Sequence, residues 1–185
     1  QQIYSEIDRL KRLINDLQEL SRVESGAIEL NLGFVAPADL VQKVHRNLNR
    51  QFEDKKIRLE TKVQPGLPDT FVDPDRILQV LTNLVGNALQ YSTEGGKVVI
   101  SVQREKSDVI FSVKDTGIGI SPAHLPYIFN RFYRTDKSRN RASGGSGIGL
   151  TIAKALVQAH QGKIWAESEG EGNGSTFSFS IPLPN

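Results

Sequence analysis

Apolar residues near the start of the chain step by four, three, four and three positions, at Ile3, Ile7, Leu10, Ile14 and Leu17. That spacing is a coiled-coil seam and predicts one long helix over residues 3–24, with Leu13 and Leu20 widening the stripe and Gly26 stopping it. So wide an apolar face calls for a partner helix. Over 27–35 the period changes to two (Ile28, Leu30, Leu32), which predicts a strand. Pro37 then suits a first helical turn, and Leu40, Val41, Val44 and Leu48 give a helical face to about Lys55. Ile57, Leu59, Thr61 and Val63 alternate as a strand, which the segment 64–68 breaks with two prolines and a glycine.

Asp73 as N-cap and Pro74 behind it open a second helix, to Tyr91. Beyond a turn at Glu94, Gly95 and Gly96, residues 97–104 and 108–114 read as two antiparallel strands. Ser121 and Pro122 open a short helix to about Phe129. Residues 131–146 carry many charges and small side chains and read as a loop. Helical spacing returns over 148–161 and stops at Gly162, and 163–167 with 175–181 form a last hairpin. The fold class expected is α+β: a mostly antiparallel mixed sheet covered on one face by helices, preceded by a long helix. Residues 1–26 form one unit and 27–185 the other.

Composition narrows the function classes. The chain has 185 residues, 38% of them hydrophobic and 24% charged, as in an ordinary globular domain. A net charge of +2 gives no case for nucleic acid or an acidic membrane. With no cysteine, disulfides, thiolate metal sites and a cysteine nucleophile are excluded. With no methionine, even at position 1, the chain reads as a piece of a longer protein. No apolar run approaches the roughly 20 residues of a membrane span, so membrane contact is not expected of this part.

Chemistry concentrates in three places. Asn83 and Asn87 stand at i and i+4 on the second helix, so both carboxamides leave the same face. Two asparagines on a helix are more often solvated, but this helix is densely apolar (Ile77, Leu78, Val80, Leu81, Leu84, Val85). Amides partly buried there need partners. A carboxamide oxygen is a hard ligand for Mg²⁺, and the amide nitrogen donates to phosphate. Next, Asp115 ends a strand and is followed by Gly117, Gly119 and Ile120, which in isolation reads as a plain turn or as a base-binding site. The carboxylate can accept from the exocyclic amine of adenine, and the glycines let backbone approach the ring. Last, a glycine-rich run from Gly144 through Gly145, Ser146, Gly147, Ile148 and Gly149 to Leu150 leads into a helix N-terminus, an arrangement suited to phosphate, with a plain flexible linker as the alternative. It lacks the Lys-Ser/Thr pair of a P-loop and the parallel βαβ setting of a dinucleotide site. The loop before it sets five basic residues (Arg131, Arg134, Lys137, Arg139, Arg141) against Asp136, as a lid over a triphosphate would. His45, His124 and His160 read as surface or packing residues.

Taken together, these motifs resemble the catalytic and ATP-binding domain of sensor histidine kinases, which share a superfamily with type II topoisomerases, mismatch-repair ATPases and heat-shock chaperone ATPases. Asn83 and Asn87 match the family's N box, the stretch from Asp115 to Gly119 its G1 box, Phe129 to Arg134 its F box, and Gly145 to Leu150 its G2 box. Residues 9–22 are similar to the second helix of the dimerisation hairpin. The resemblance implies a Bergerat-type two-layer sandwich that binds ATP with Mg²⁺. In it, Asn87 is the principal Mg²⁺ ligand and Asn83 meets phosphate or the ion's shell. Tyr91 stacks on adenine and Asp115 reads its amine, with Gly117, Gly119 and Ile120 beside it and Thr176 lining the adenine end. Tyr133, Arg134 and Lys137 approach from the lid, and the backbone from Gly145 to Leu150 cradles phosphate.

The resemblance further implies a cytoplasmic kinase domain that dimerises through its helical hairpin and serves a response-regulator receiver domain. Hydrolysing relatives carry a Glu where Asn83 stands, and Asn cannot act as a general base, so slow intrinsic ATP hydrolysis is expected. The phosphoacceptor motif is absent, so self-phosphorylation is not expected of this chain. Gln90 stands where many relatives carry a basic residue. The rival readings are a hydrolysing ATPase, against which Asn83 stands, a degenerate nucleotide sensor or scaffold, and a serine kinase such as an anti-sigma factor.

Overall fold

The computed structural model of the protein describes residues 7, 14, 15, 17–22, 25, 26, 28–134 and 147–184. Strand β1 (Gly33–Val35) leads into helix α1 (Pro37–Asp54), followed by β2 (Arg58–Val63), β3 (Thr70–Val72) and helix α2 (Pro74–Tyr91). Strands β4 (Lys97–Glu105) and β5 (Asp108–Asp115), helix α3 (Gly149–Ala159), β6 (Ile164–Glu167) and β7 (Ser175–Pro182) complete the order. The main sheet has the strand order β2-β4-β5-β7-β6. Only the β2–β4 pair is parallel; the other three are antiparallel. The expected mixed, mostly antiparallel sheet with helices on one face is the architecture observed.

Alternation explains the two layers. Val98, Ile100 and Val102 of β4, Val109, Phe111 and Val113 of β5, and Phe177, Phe179 and Ile181 of β7 are buried at every second position and meet the helices. Phe111 and Phe179, paired across the β5–β7 ladder, stack with centroids 4.8 Å apart. Facing them are Leu40, Val41, Val44 and Phe52 of α1, Ile77, Leu81, Leu84 and Val85 of α2, and Ile152, Ala153 and Leu156 of α3. Asp115 and Ser175 sit at the ends of the core-facing rows of β5 and β7, so a carboxylate and a hydroxyl are buried at the edge of an apolar layer.

The start of α2 is tied down from three sides. The Asp73 carboxylate accepts from the Asp75 and Arg76 N–H groups at 3.0 and 3.1 Å, satisfying two orphan donors of the first turn. Its other oxygen accepts from the Asn31 N–H at 2.9 Å. The Asp73 N–H in turn donates to His160 Nε2 at 3.0 Å, and His160 Nδ1 lies 2.8 Å from the Leu156 carbonyl. The partners settle the tautomer: the proton is on Nδ1. His160 is thus a buried packing residue that pins the end of α3 to the start of α2. Replacing Asp73 by Ala is expected to lower stability by roughly 1–2 kcal/mol, as loss of a good N-cap does. Urea unfolding followed by circular dichroism measures it; an unchanged midpoint would contradict the capping role.

Two expectations need correction. The strand expected over 27–35 is only Gly33–Val35, because its one partner, β3, is three residues long and the Asn31 N–H goes to Asp73 instead. β3 itself carries too short a pattern to be read from sequence. The helix expected over 121–129 is a single 3₁₀ turn, Leu125–Tyr127, since Pro126 has no N–H to continue a helix. Of the long N-terminal helix, residues 7, 14, 15 and 17–22 are described, and all are helical. Its seam residues Ile7, Ile14 and Leu17 are exposed, whereas Leu20 joins the core and Glu19 pairs with Arg76 at 2.5 Å.

Candidate functional site

Helix α2 forms one wall of the site. Asn83 and Asn87 are both half-buried, one turn apart. Asn83 Nδ2 donates to the Gly149 carbonyl at 3.0 Å and so ties α2 to the first turn of α3. The Asn87 side chain makes no hydrogen bond among the described residues, so its amide remains available to a ligand. At the far end, the Tyr91 carbonyl accepts from the Ile118 N–H at 3.2 Å, and a Cβ on Gly117 would collide with it. Gly117 is therefore required by close approach and not by an unusual torsion. From Tyr91 back to Asn83 the wall runs eight residues, about 12 Å along the axis.

Asp115 closes the Tyr91 end. It is only 4% exposed, and no ion pair to it exists among the described residues. Its Oδ1 accepts from the Gly117 N–H at 2.8 Å and its Oδ2 from the Ser175 hydroxyl at 2.5 Å. A carboxylate has about four acceptor positions, so each oxygen keeps one for a donor such as an aromatic amine. A buried carboxylate held by two donors is a fixed acceptor, unlike a surface aspartate.

The other end is built around α3. Ile148, its N-cap, is buried and offers no side-chain cap, so the first N–H groups of α3 are left to other partners. Gly147 adopts φ +70°, and its carbonyl accepts from the Phe132 N–H at 3.1 Å. The Arg134 side chain runs along Gly147: a Cβ built there would lie 3.4 Å from Arg134 Cγ. Tyr133 and His124 share a 2.6 Å hydrogen bond, and Thr151 Oγ1 donates to the Phe129 carbonyl at 3.1 Å. Residues 129–134 are thereby braced against the entrance to α3.

Most of the expected residues converge. Asn83, Asn87, Tyr91, Asp115, Gly117, Gly119, Ile120, Tyr133, Arg134, Gly147, Ile148, Gly149 and Leu150 lie on the segments just described. Lys137, Gly145 and Ser146 lie outside the described residues. Thr176 is corrected: it pairs with Lys114 and occupies the sheet face opposite the helices, away from Asp115. Ser175, one position earlier, is the residue on the helix-facing side and donates to Asp115. Ser168 was also missed, and its hydroxyl accepts from the Ile120 N–H at 2.9 Å.

Residues 72–185 match the family model of histidine kinase-, DNA gyrase B- and HSP90-like ATPases. The chain belongs to this family. The relatives place it with the catalytic and ATP-binding domains of sensor histidine kinases. The sensor histidine kinase WalK of Bacillus subtilis is 38% identical over 176 residues, covering 89% of this chain but 27% of that protein. Full-length ShkA, solved in complex with AMPPNP, superposes with a TM-score of 0.86 at 32% identity, over 96% of this chain and 36% of its own. The histidine kinase ThkA, solved with the response regulator TrrA, gives a TM-score of 0.79 at 27% identity, over 98% of this chain and 49% of its own. No described helix is long and apolar enough to cross a membrane.

Proposed function

We propose that this histidine-kinase-type domain binds Mg·ATP along α2, with adenine at Asp115 and the phosphates between Asn87 and the start of α3, and presents the γ-phosphoryl to a histidine. The observation that carries the reading is the pairing of opposite ends. A buried, fixed acceptor stands at Tyr91, and a helix start whose N-cap residue makes no side-chain cap stands at Asn83, with the unbonded side-chain amide of Asn87 between them. That polarity fits a base at one end and a polyanion at the other.

The residues fit Mg²⁺ in its usual nucleotide setting. Among the described residues there is no cluster of three His, Cys, Asp or Glu side chains to cage an ion. Mg²⁺ bound with ATP needs few protein ligands because phosphates and water complete its shell, and the Asn87 oxygen is available to it. When bound, the ion neutralises charge on the β- and γ-phosphates. The protein's own share is positioning: Asn83 braces α3, the α3 N–H groups meet phosphate, and Arg134 approaches from residues 129–134. No carboxylate stands at position 83 to activate water. A neutral imidazole needs no such base; its nitrogen forms the new bond to the γ-phosphorus as the bridging oxygen leaves with ADP.

Residues 1–26 are proposed to be the second helix of a dimerisation hairpin and 27–185 the ATP-binding domain, with the exposed seam of Ile7, Ile14 and Leu17 as the dimer face. A response-regulator receiver domain is the proposed final acceptor, supported by the complex that ThkA forms with TrrA. The test supplies what this chain lacks. Incubated with γ-labelled Mg·ATP and a separate hairpin peptide carrying a phosphoacceptor histidine, the chain is expected to label the peptide at an acid-labile, base-stable position. Label on an acid-stable serine, or ATP hydrolysis at many turnovers per minute without peptide label, would contradict the proposal.

A further inference from the structure

The loop between β6 and β7 lies on the turn that follows β5, and one hydroxyl organises the contact. Ser168 Oγ accepts from the Ile120 N–H at 2.9 Å and the Gly170 N–H at 3.3 Å, and donates to the Gly174 carbonyl at 2.7 Å. A hydroxyl has one proton and two lone pairs, so these three bonds saturate it. The Gly170 carbonyl, at 3.3 Å, is a longer alternative acceptor for the same proton. Two backbone bonds flank the contact, from the Gly172 N–H to the Ile118 carbonyl at 2.7 Å and from the Gly174 N–H to the Gly117 carbonyl at 3.1 Å. Packing leaves no slack: a Cβ on Gly119 would run into the Gly170 carbonyl, and one on Gly174 into the Asp115 carbonyl.

Both bonds that orient the Asp115 carboxylate start from segments that Ser168 holds. The Gly174 peptide leads directly to Ser175, which donates to Oδ2. Gly117, which donates to Oδ1, belongs to the turn anchored at Ile120. Adenine offers an exocyclic amine where guanine has a carbonyl oxygen. A carboxylate fixed in place accepts from the first and repels the second; one that can turn aside loses much of both effects.

We propose that Ser168 is a positioning residue that sets the preference for adenine over guanine by fixing the Asp115 carboxylate. The proposal rests on the ATP-site reading above. The test is calorimetric titration of the whole chain with Mg²⁺ and non-hydrolysable analogues of ATP and of GTP, for the wild type, Ser168→Ala and Ser168→Thr. Ser168→Ala is expected to lower the ATP-over-GTP preference roughly five- to tenfold, the scale of one lost hydrogen bond. Ser168→Thr, which keeps the hydroxyl, is expected to restore most of that preference. A purely structural serine would lower thermal stability, or weaken both nucleotides equally, with the preference unchanged; either result overturns the proposal. If circular dichroism shows Ser168→Ala unfolded, Ser168→Cys, close in size and a weak hydrogen bonder, gives the same readout. A folded wild type that binds neither analogue removes the ATP-site reading and this proposal with it. A wild type that prefers ATP beside a Ser168→Ala with the same preference removes this proposal alone.

Discussion

Replacing Asp115 by Ala is expected to lower affinity for Mg·ATP roughly ten- to a hundredfold while leaving the domain folded. A hydrogen bond to a charged acceptor contributes roughly 1.5–3 kcal/mol, and about 1.4 kcal/mol is a factor of ten. Removing the carboxylate forfeits that bond; the Ser175 hydroxyl and the Gly117 N–H that now point at it lose their acceptor with or without nucleotide, which lowers stability and not affinity. Affinity for adenosine, which has no phosphate, is expected to fall by the same factor, because the loss is at the base. Asp115→Asn is not a gentle substitute. Its amide sets N–H groups against the adenine amine or against the Gly117 N–H, whichever way it flips. Calorimetry with both ligands checks the claim; a loss confined to the triphosphate would place adenine elsewhere.

The second large effect belongs to Asn87 and has the opposite signature. Asn87→Ala removes an amide that makes no hydrogen bond among the described residues, so stability is expected to change little. Affinity for ATP in the presence of Mg²⁺ is expected to fall at least tenfold, whereas affinity for adenosine stays as it was, and removing Mg²⁺ with a chelator has little further effect on the variant. Comparing wild type and variant with and without Mg²⁺ isolates that term as a double cycle. If chelation weakens Asn87→Ala as much as the wild type, the ion is held elsewhere.

What the sequence revealed of this site follows the range of its interactions. Asn83 and Asn87 were legible because the i, i+4 spacing on an apolar helix is a local rule, and the half-burial it implied is observed. The Asp73–Pro74 helix start was legible for the same reason. Asp115 was legible because a strand pattern ended there and glycines followed. The choice between Ser175 and Thr176 was not, since it depends on β5–β7 register, set between residues about 60 positions apart. Ser168 was hidden for a related reason: it looks like any polar residue at the end of a strand until Ile120 is brought against it. The failed helix over 121–129 was a misreading of local information, because Pro126 was visible and breaks it.

His160 shows how support reaches the site from outside it. α2 and α3 carry most of the groups proposed to meet the phosphates. They are joined near the site by Asn83 and Gly149, and at their far ends by Asp73 and His160. One hydrogen bond at each end of α3, to the middle and to the start of α2, ties the two helices together beyond the packing of their apolar faces. In the proposed site, where the described residues hold no cluster of three His, Cys, Asp or Glu side chains, that alignment is what would keep the α2 and α3 groups in place for a triphosphate.

The most direct test of the account is calorimetric titration of the whole chain with Mg²⁺ and a non-hydrolysable ATP analogue. Saturable binding of one nucleotide per chain, lost on chelating Mg²⁺ far more than adenosine binding is, is the predicted result. A folded chain that takes up no nucleotide, or binds it equally well without Mg²⁺, would contradict the account.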